Sequence, residues 1–210
     1  MLIDFSSVIP AVAFVLYVVF TGFGLAQHRR ESVCWPFILY MAFMTTWSFG
    51  SLMMHANTGL FTPLSWNRLM VAGLLGGPIS IVHSMLHLAR VKRRRFRGLL
   101  GLGYGVYLFL LGLNLRGLIV TAAWFEGREF HYTLGPGAPV AYALSYPFLV
   151  AGIVILVRQL SRSDDPFLRR KLVPPIVGAC VMLVGVLANL YHPVGRYPVD
   201  LLAATINAVV

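Results

Sequence analysis

Residues 69–89 read LMVAGLLGGPISIVHSMLHLA, and residues 90–97 read RVKRRRFR. The first stretch holds 21 residues with no Asp, Glu, Lys or Arg. As a helix rising 1.5 Å per residue it spans the ~30 Å hydrocarbon core of a bilayer. The second stretch places six cations in eight positions directly after it. A long apolar run closed by a basic cluster predicts a membrane-spanning helix that ends on the cytoplasmic side.

Working outward, five more runs have this character: Val8 to Ala26, Val33 to Met54, Gly98 to Val120, Ala138 to Val157 and Leu172 to Tyr191. A seventh begins near Pro198 and is still apolar at Val210. Its dozen or so residues rise only about 18 Å, so the seventh helix is expected to be truncated and the sequence to be the front part of a longer protein. Of the 17 cations, 13 fall on one side: Arg29, Arg30, the 90–97 cluster, Arg158, Arg162, Arg169, Arg170 and Lys171. Arg68, Arg116, Arg128 and Arg196 fall on the other. The predicted fold is therefore an all-α membrane protein, a single seven-transmembrane helix bundle over residues 1–210, N-out and C-in. The first run is not a removable signal peptide, because Asp4 precedes it and His28-Arg29-Arg30 follows it.

Composition agrees: 58% of residues are hydrophobic, 11% charged, and mean hydropathy is +0.77. The net charge of +10 lies in clusters between apolar runs, which excludes a nucleic-acid-binding domain. The basic clusters read as topology signals and contacts to the lipid bilayer. Cys34 and Cys180 both lie in apolar runs and are expected to be buried thiols, which excludes a disulfide-stapled scaffold. Gly59, Pro63 and Trp66 mark an outer turn, and Gly135-Pro136-Gly137-Ala138-Pro139 closes the longest outer connection. Pro36, Pro78, Pro147 and Pro174-Pro175 each kink or start a span. Gly101, Gly103 and Gly105 permit close packing of the fourth helix without specifying a partner.

A polar residue inside a membrane is a functional candidate. By depth, Trp47, Asn114, Arg116, Tyr142, Tyr146 and Asn189 fall in the outer half, with His55, Trp66, His192 and Asp200 at the outer rim. Trp47, His55, Asn114, Arg116, Tyr142, Tyr146, Asn189 and His192 together form a candidate outer pocket for a small ligand. The competing reading makes the aromatic residues an interfacial belt and the asparagines interhelical glue. His83 and His87, four apart on one helix face, are weak metal candidates for which no other inner-half residue except Cys34 offers a third ligand. The outer histidines His55, His131 and His192 are a weaker three-point grouping. No cofactor is called for: a retinal would need a lysine deep in a helix, and Lys92 and Lys171 lie in loops. No Ser-His-Asp order, glycine-rich phosphate loop, H-E-x-x-H or Cys-x-x-Cys is present, so nothing argues for an enzyme in these residues.

Several segments carry a resemblance. They are Phe61-Thr62-Pro63-Leu64-Ser65-Trp66-Asn67-Arg68, Tyr132-Thr133-Leu134-Gly135-Pro136-Gly137, Arg169-Arg170-Lys171, Asn189 and Tyr197-Pro198-Val199-Asp200. With their spacing, the whole chain resembles the N-terminal seven-transmembrane sensor region of histidine kinases. The resemblance implies a sensory input domain in the plasma membrane of a prokaryotic cell. It would belong to a two-component or cyclase-type system, signal through helix 7 to a cytoplasmic output domain, and act as a homodimer. The alternatives are a small transporter or permease and, further off, a haem- or metal-binding membrane protein.

Overall fold

The computed structural model describes residues 5–28, 35–56, 59–88, 93–127, 129–162 and 166–191. Six helices and one hairpin follow in order: α1 (Phe5–His28), α2 (Trp35–Ala56), α3 (Pro63–Leu88), α4 (Arg93–Leu115), β1 (Val120–Glu126), β2 (Glu129–Leu134), α5 (Gly137–Ser161) and α6 (Pro166–Tyr191). The expected seventh helix, His192, Arg196 and Asp200 lie outside the described residues, as do Asp4, Arg29, Arg30, Cys34 and Arg128.

Five helices carry stretches long and apolar enough to cross a membrane: Val8–Gln27, Trp35–Ala56, Pro63–Leu88, Phe96–Leu115 and Gly137–Ser161. In α6 the apolar stretch is shorter, Leu172–Val181. Pairing follows chain order, α1 on α2 and α2 on α3, and α3 then packs also on α4, α5 and β1. Cross-contacts give the directions. Thr21 meets Thr45 and Phe14 meets Phe49, so α1 and α2 are antiparallel. His83 meets Tyr104 while Asn114 reaches Arg68, so α3 and α4 are antiparallel too. One end of the bundle therefore gathers the end of α2, the start of α3, the end of α4, the hairpin and the start of α5. The opposite end carries the end of α3 and the basic start of α4.

Burial sorts α1 and α3 into two kinds of apolar helix. In α1, Pro10, Ala13, Tyr17 and Gly24 are buried, whereas Val12, Val15, Val19 and Phe23 point away from the protein. An apolar face left outside the fold suits hydrocarbon and not water. In α3, every residue from Leu75 to Val82 is buried, so this helix is enclosed by neighbours on all sides.

Small residues set the α2–α3 distance. A Cβ added at Gly73 would lie 2.5 Å from the Trp47 backbone N and 2.6 Å from the Phe43 carbonyl O. One added at Gly50 would lie 2.7 Å from the Met70 backbone N. The two backbones touch directly, the geometry in which transmembrane helices gain close van der Waals packing. On α4 the glycines divide: a Cβ on Gly103 would collide with Ile79, whereas Gly101 and Gly105 face open space.

The structure corrects three expectations. The long connection before α5 is an antiparallel hairpin, not a loop, so the fold is a helical bundle with a small sheet and the fourth helix ends at Leu115 rather than near Val120. Alternating aromatic and β-branched residues on either side of Gly127, whose φ is +63°, form it. Next, α3 starts at Pro63, six residues before the apolar run, because Thr62 caps it: its side-chain Oγ1 accepts from Ser65 N at 3.2 Å. Trp66 thus lies inside a helix and is buried against its neighbours. Third, the Cys180 thiol is exposed on α6, since an apolar run in a membrane protein can face lipid as readily as protein.

Gly73→Ala is expected to destabilise the protein by about 2 kcal/mol through forced overpacking of two backbones. Gly105→Ala, in open space, is expected to be neutral or to stabilise by up to about 1 kcal/mol through helix propensity. Unfolding midpoints in detergent micelles compare the two; equal shifts would overturn the backbone-contact reading.

Candidate functional site

Hydroxyls in these helices mostly satisfy themselves. Thr21, Thr45, Thr46, Ser48 and Ser80 each donate to the carbonyl four residues earlier, at 2.7–2.9 Å. Against that background six buried side-chain atoms among the described residues have no hydrogen-bond partner: Trp47 Nε1, Ser51 Oγ, Trp66 Nε1, Asn67 Oδ1, Arg68 Nε and Asn114 Oδ1. All six lie in the halves of α2, α3 and α4 that meet the hairpin end. Five of the six residues are sealed: Ser51 and Asn114 are 0% exposed, Asn67 1%, Trp47 2% and Trp66 8%, while Arg68 is partly exposed. An unpaired polar group in such surroundings costs about 1–3 kcal/mol, so six together are a concentrated liability.

The chain holds these groups in place through their other atoms. Asn67 Nδ2 donates to Met54 Sδ at 3.8 Å across the α2–α3 seam, leaving its carbonyl unused. Asn114 Nδ2 donates to the Arg68 carbonyl at 2.8 Å across the α3–α4 seam, again leaving the side-chain carbonyl. The Arg68 guanidinium lies against Gly117, whose φ of +74° favours glycine and where any Cβ would strike the guanidinium. The Trp66 indole is gripped edge to face by Phe49 at 5.8 Å and Phe61 at 5.3 Å, and Phe49 in turn meets Phe14 of α1 at 5.3 Å.

The hairpin covers this end. Strand alternation sends Phe130 and Tyr132 to one face and His131 to the other. Phe130 lies 6.3 Å from the His55 ring, and His55 Nδ1 is 2.8 Å from the Ser51 carbonyl O. Tyr132 packs on the apolar cluster of Val71, Leu75, Leu110 and Val120. On the opposite face Trp124 stacks on His131 at 5.9 Å, and His131 Nε2 stands 3.8 Å from a Glu126 oxygen.

Of the residues singled out from sequence, Trp47 and Asn114 stand among the unpartnered atoms, and His55 lies at the edge under the hairpin. Tyr142 and Tyr146 stack on each other along α5 at 5.4 Å, and Tyr142 joins the cluster beneath Tyr132. Arg116 is exposed in the turn after α4. Asn189 falls in α6, and His192 lies outside the described residues. His55 and His131 occupy different sides, because Phe130 rather than His131 faces His55. His83 Nδ1 is 2.9 Å from the Tyr104 hydroxyl and His87 is exposed; among the described residues no three metal-ligating side chains come together.

Sequence reasoning missed Ser51, Asn67 and Arg68 as members of the site. The available signal was Thr62-Pro63, an N-cap followed by proline at the first helical position, which places Asn67 and Arg68 already a turn inside α3.

A helical bundle with apolar outer faces and a sealed polar cluster at one end defines a membrane protein with a candidate ligand site. The model of the N-terminal 7TM region of histidine kinase matches residues 7–209, and the chain belongs to that family. The family is one of transmembrane sensory regions of histidine kinases. Neither the curated proteins nor the solved structures contain a match to it.

Ser51→Ala removes a buried hydroxyl with no partner and is expected to raise stability by about 1 kcal/mol. Ser48→Ala, which removes a bonded hydroxyl one turn away, is expected to give no such gain. Unfolding of the two variants without added ligand checks this; a loss of stability in Ser51→Ala would show that its hydroxyl is satisfied.

Proposed function

We propose that the hairpin end of the bundle faces the outside of the cell and receives a small-molecule stimulus, which the domain reports to a cytoplasmic kinase or cyclase module. The observation that carries this reading is the gathering of six unpartnered polar atoms at that end. Polar groups left unpaired in a membrane helix lower stability, and they are retained where a ligand uses them. The charge asymmetry supports the orientation: the basic start of α4 from Arg93 to Arg97, Arg158, Arg162, Arg169 and Arg170 lie toward the opposite end, which the positive-inside rule assigns to the cytoplasm. Family membership supports a membrane-embedded region with seven helices; an N-out and C-in orientation in the plasma membrane, helix 7 leading to the output module and two copies acting together complete the proposal.

Signalling then follows from differential binding. Two packings of the bundle differ in how α3 and α4 sit at the hairpin end. A ligand that satisfies the orphaned groups in one packing shifts the population toward it, by as much as its affinities for the two differ. Because α3 runs from the site to the basic end in one enclosed helix, displacement at Asn67 and Arg68 is carried to the cytoplasmic side along a packed element.

The test is thermal unfolding of the purified protein against a panel of small metabolites, with Trp47→Phe, Asn114→Leu and Arg116→Gln as variants. A ligand at a hundredfold excess over its Kd is expected to stabilise by about 2.7 kcal/mol. Stabilisation is expected to be lost in Trp47→Phe and Asn114→Leu and kept in Arg116→Gln, which is exposed. Hits that survive every substitution would show that sensing occurs elsewhere.

A further inference from the structure

We propose that the basic end of α4, α5 and α6 holds anionic phospholipids, with exposed arginines on the headgroup phosphates and the apolar helix faces beside them on the acyl chains. This surface lies at the opposite end of the bundle from the candidate ligand site, and the inference does not rest on the sensing reading.

Charge points there first. By sequence, the segments of that end hold 13 cations, with Glu31, Asp164 and Asp165 to offset them, which leaves +10. The hairpin end has Arg68, Arg116, Arg128 and Arg196 against Asp4, Glu126, Glu129 and Asp200, which leaves zero. The whole net charge of the protein therefore belongs to one end. Among the described residues there, Arg97, Arg158, Arg162, Arg169 and Arg170 are exposed and none is in an ion pair. Helix electrostatics do not account for this placement. The first turns of α4 and α6 contain no acidic residue, and Arg93, Arg94, Arg95, Arg169 and Arg170 cluster at those starts. Cations at a helix N-terminus oppose the macrodipole, and a bound anion relieves the repulsion.

The surfaces that adjoin the arginines select the kind of anion. Residues four apart share a helix face. On α5, Val150, Val154, Arg158 and Arg162 form such a row, and all four are exposed. On α6 the row is Arg169, Val173 and Val177, again exposed throughout. On α4 it is Arg97, Gly101, Gly105 and Phe109, all exposed, and a Cβ added at either glycine would meet nothing within 4 Å. Each helix thus repeats one pattern, a guanidinium at the end of an open apolar strip. The three helices are neighbours, since α5 packs on both α4 and α6. A free phosphate uses the guanidinium and leaves the strip bare, whereas a phospholipid uses both. An orientation signal acts during insertion and has no need to distinguish one headgroup from another afterwards.

The test uses the full chain in phosphatidylcholine vesicles, with spin-labelled phosphatidylglycerol or spin-labelled phosphatidylcholine as the probe. Electron spin resonance reads the share of each label held on the protein. Phosphatidylglycerol is expected to be held about fivefold more tightly than phosphatidylcholine. The preference is expected to fall in 1 M salt, where screening acts within about 3 Å. Inorganic phosphate at matched ionic strength is expected not to displace the label. Arg158→Gln, Arg162→Gln, Arg169→Gln and Arg170→Gln combined are expected to cut the preference to about twofold or less. Arg116→Gln, an exposed cation at the neutral end, is expected to keep it in full. Should the fourfold variant fail to insert, Arg162→Gln alone and the salt series on the unmodified chain still decide. Equal retention of the two lipids would overturn the inference and leave the cluster to orientation or to an acidic protein partner. Displacement by inorganic phosphate, or a preference lost in Arg116→Gln and kept in the fourfold variant, would overturn it as well. The metabolite panel judges the sensing reading separately.

Discussion

The contact between the α2 and α3 backbones governs the rest of the molecule. Gly73 and Gly50 bring Trp47, Phe43 and Met70 backbone atoms to distances that leave no room for a methyl group. At that separation the seam admits neither lipid nor water along its length. Side chains that enter it, such as Met44, Trp47 and Met54, are almost fully enclosed. Lipid tails are as apolar as leucine, so burial of apolar surface does not drive helices together in a membrane, and dense packing of this kind must. The enclosure of α3 follows from it: with α2 fixed against one side, α4, α5 and β1 occupy the others.

Enclosure gives the polar residues of α2 and α3 two possible fates. Ser48 and Ser80 fold their hydroxyls back on their own helix and add little strain to a buried position. Ser51, one turn nearer the hairpin, leaves its Oγ without a partner, while its carbonyl O lies within bonding distance of His55 Nδ1. Asn67 and Asn114 go further, each using one half of its amide to tie two helices together and leaving the other half free. These tethers fix the direction of the free carbonyls, which is what a binding group needs and what interhelical glue alone does not require. For Asn114 the glue and pocket readings are compatible: the nitrogen bonds across the seam and the oxygen is left without a partner.

Most of the helical architecture was legible in the sequence because a bilayer imposes length and hydropathy on every span. What it does not impose was harder to read. The hairpin was concealed by its position between two apolar runs, although Val120-Thr121-Ala122-Ala123-Trp124-Phe125-Glu126 and Glu129-Phe130-His131-Tyr132-Thr133-Leu134 lie on either side of Gly127 in a recognisable strand pattern. The start of α3 was misplaced because hydropathy marks where the apolar run begins, and Trp66, Asn67 and Arg68 precede it while already helical. Trp47 and Asn114 could be found as polar residues at membrane depth. Asn67 and Arg68 could not, since their significance depends on which neighbours face them. The same limit holds on α4, where Gly103 and Gly105 look alike in sequence but one is wedged against Ile79 and the other faces open space.

The hairpin joins the site to the remainder of the bundle. At its base Gly135 N donates to the Ile119 carbonyl at 2.8 Å and Gly137 N to the Leu118 carbonyl at 2.9 Å, which clamps the start of α5 to the end of α4. The Arg68 guanidinium rests against Gly117, immediately before that clamp, and Asn114 holds the Arg68 carbonyl one turn below it. A change in the position of Arg68 therefore cannot be absorbed by a slack loop. It must be shared among α3, the end of α4 and, through the clamp, α5. Packed interfaces respond to such a demand by exchanging one arrangement for another and not by gradual deformation. Enclosure of α3, the tethered asparagines and the clamped hairpin thus make one mechanical unit, in which a displacement of Arg68 or Asn114 is felt by three helices at once.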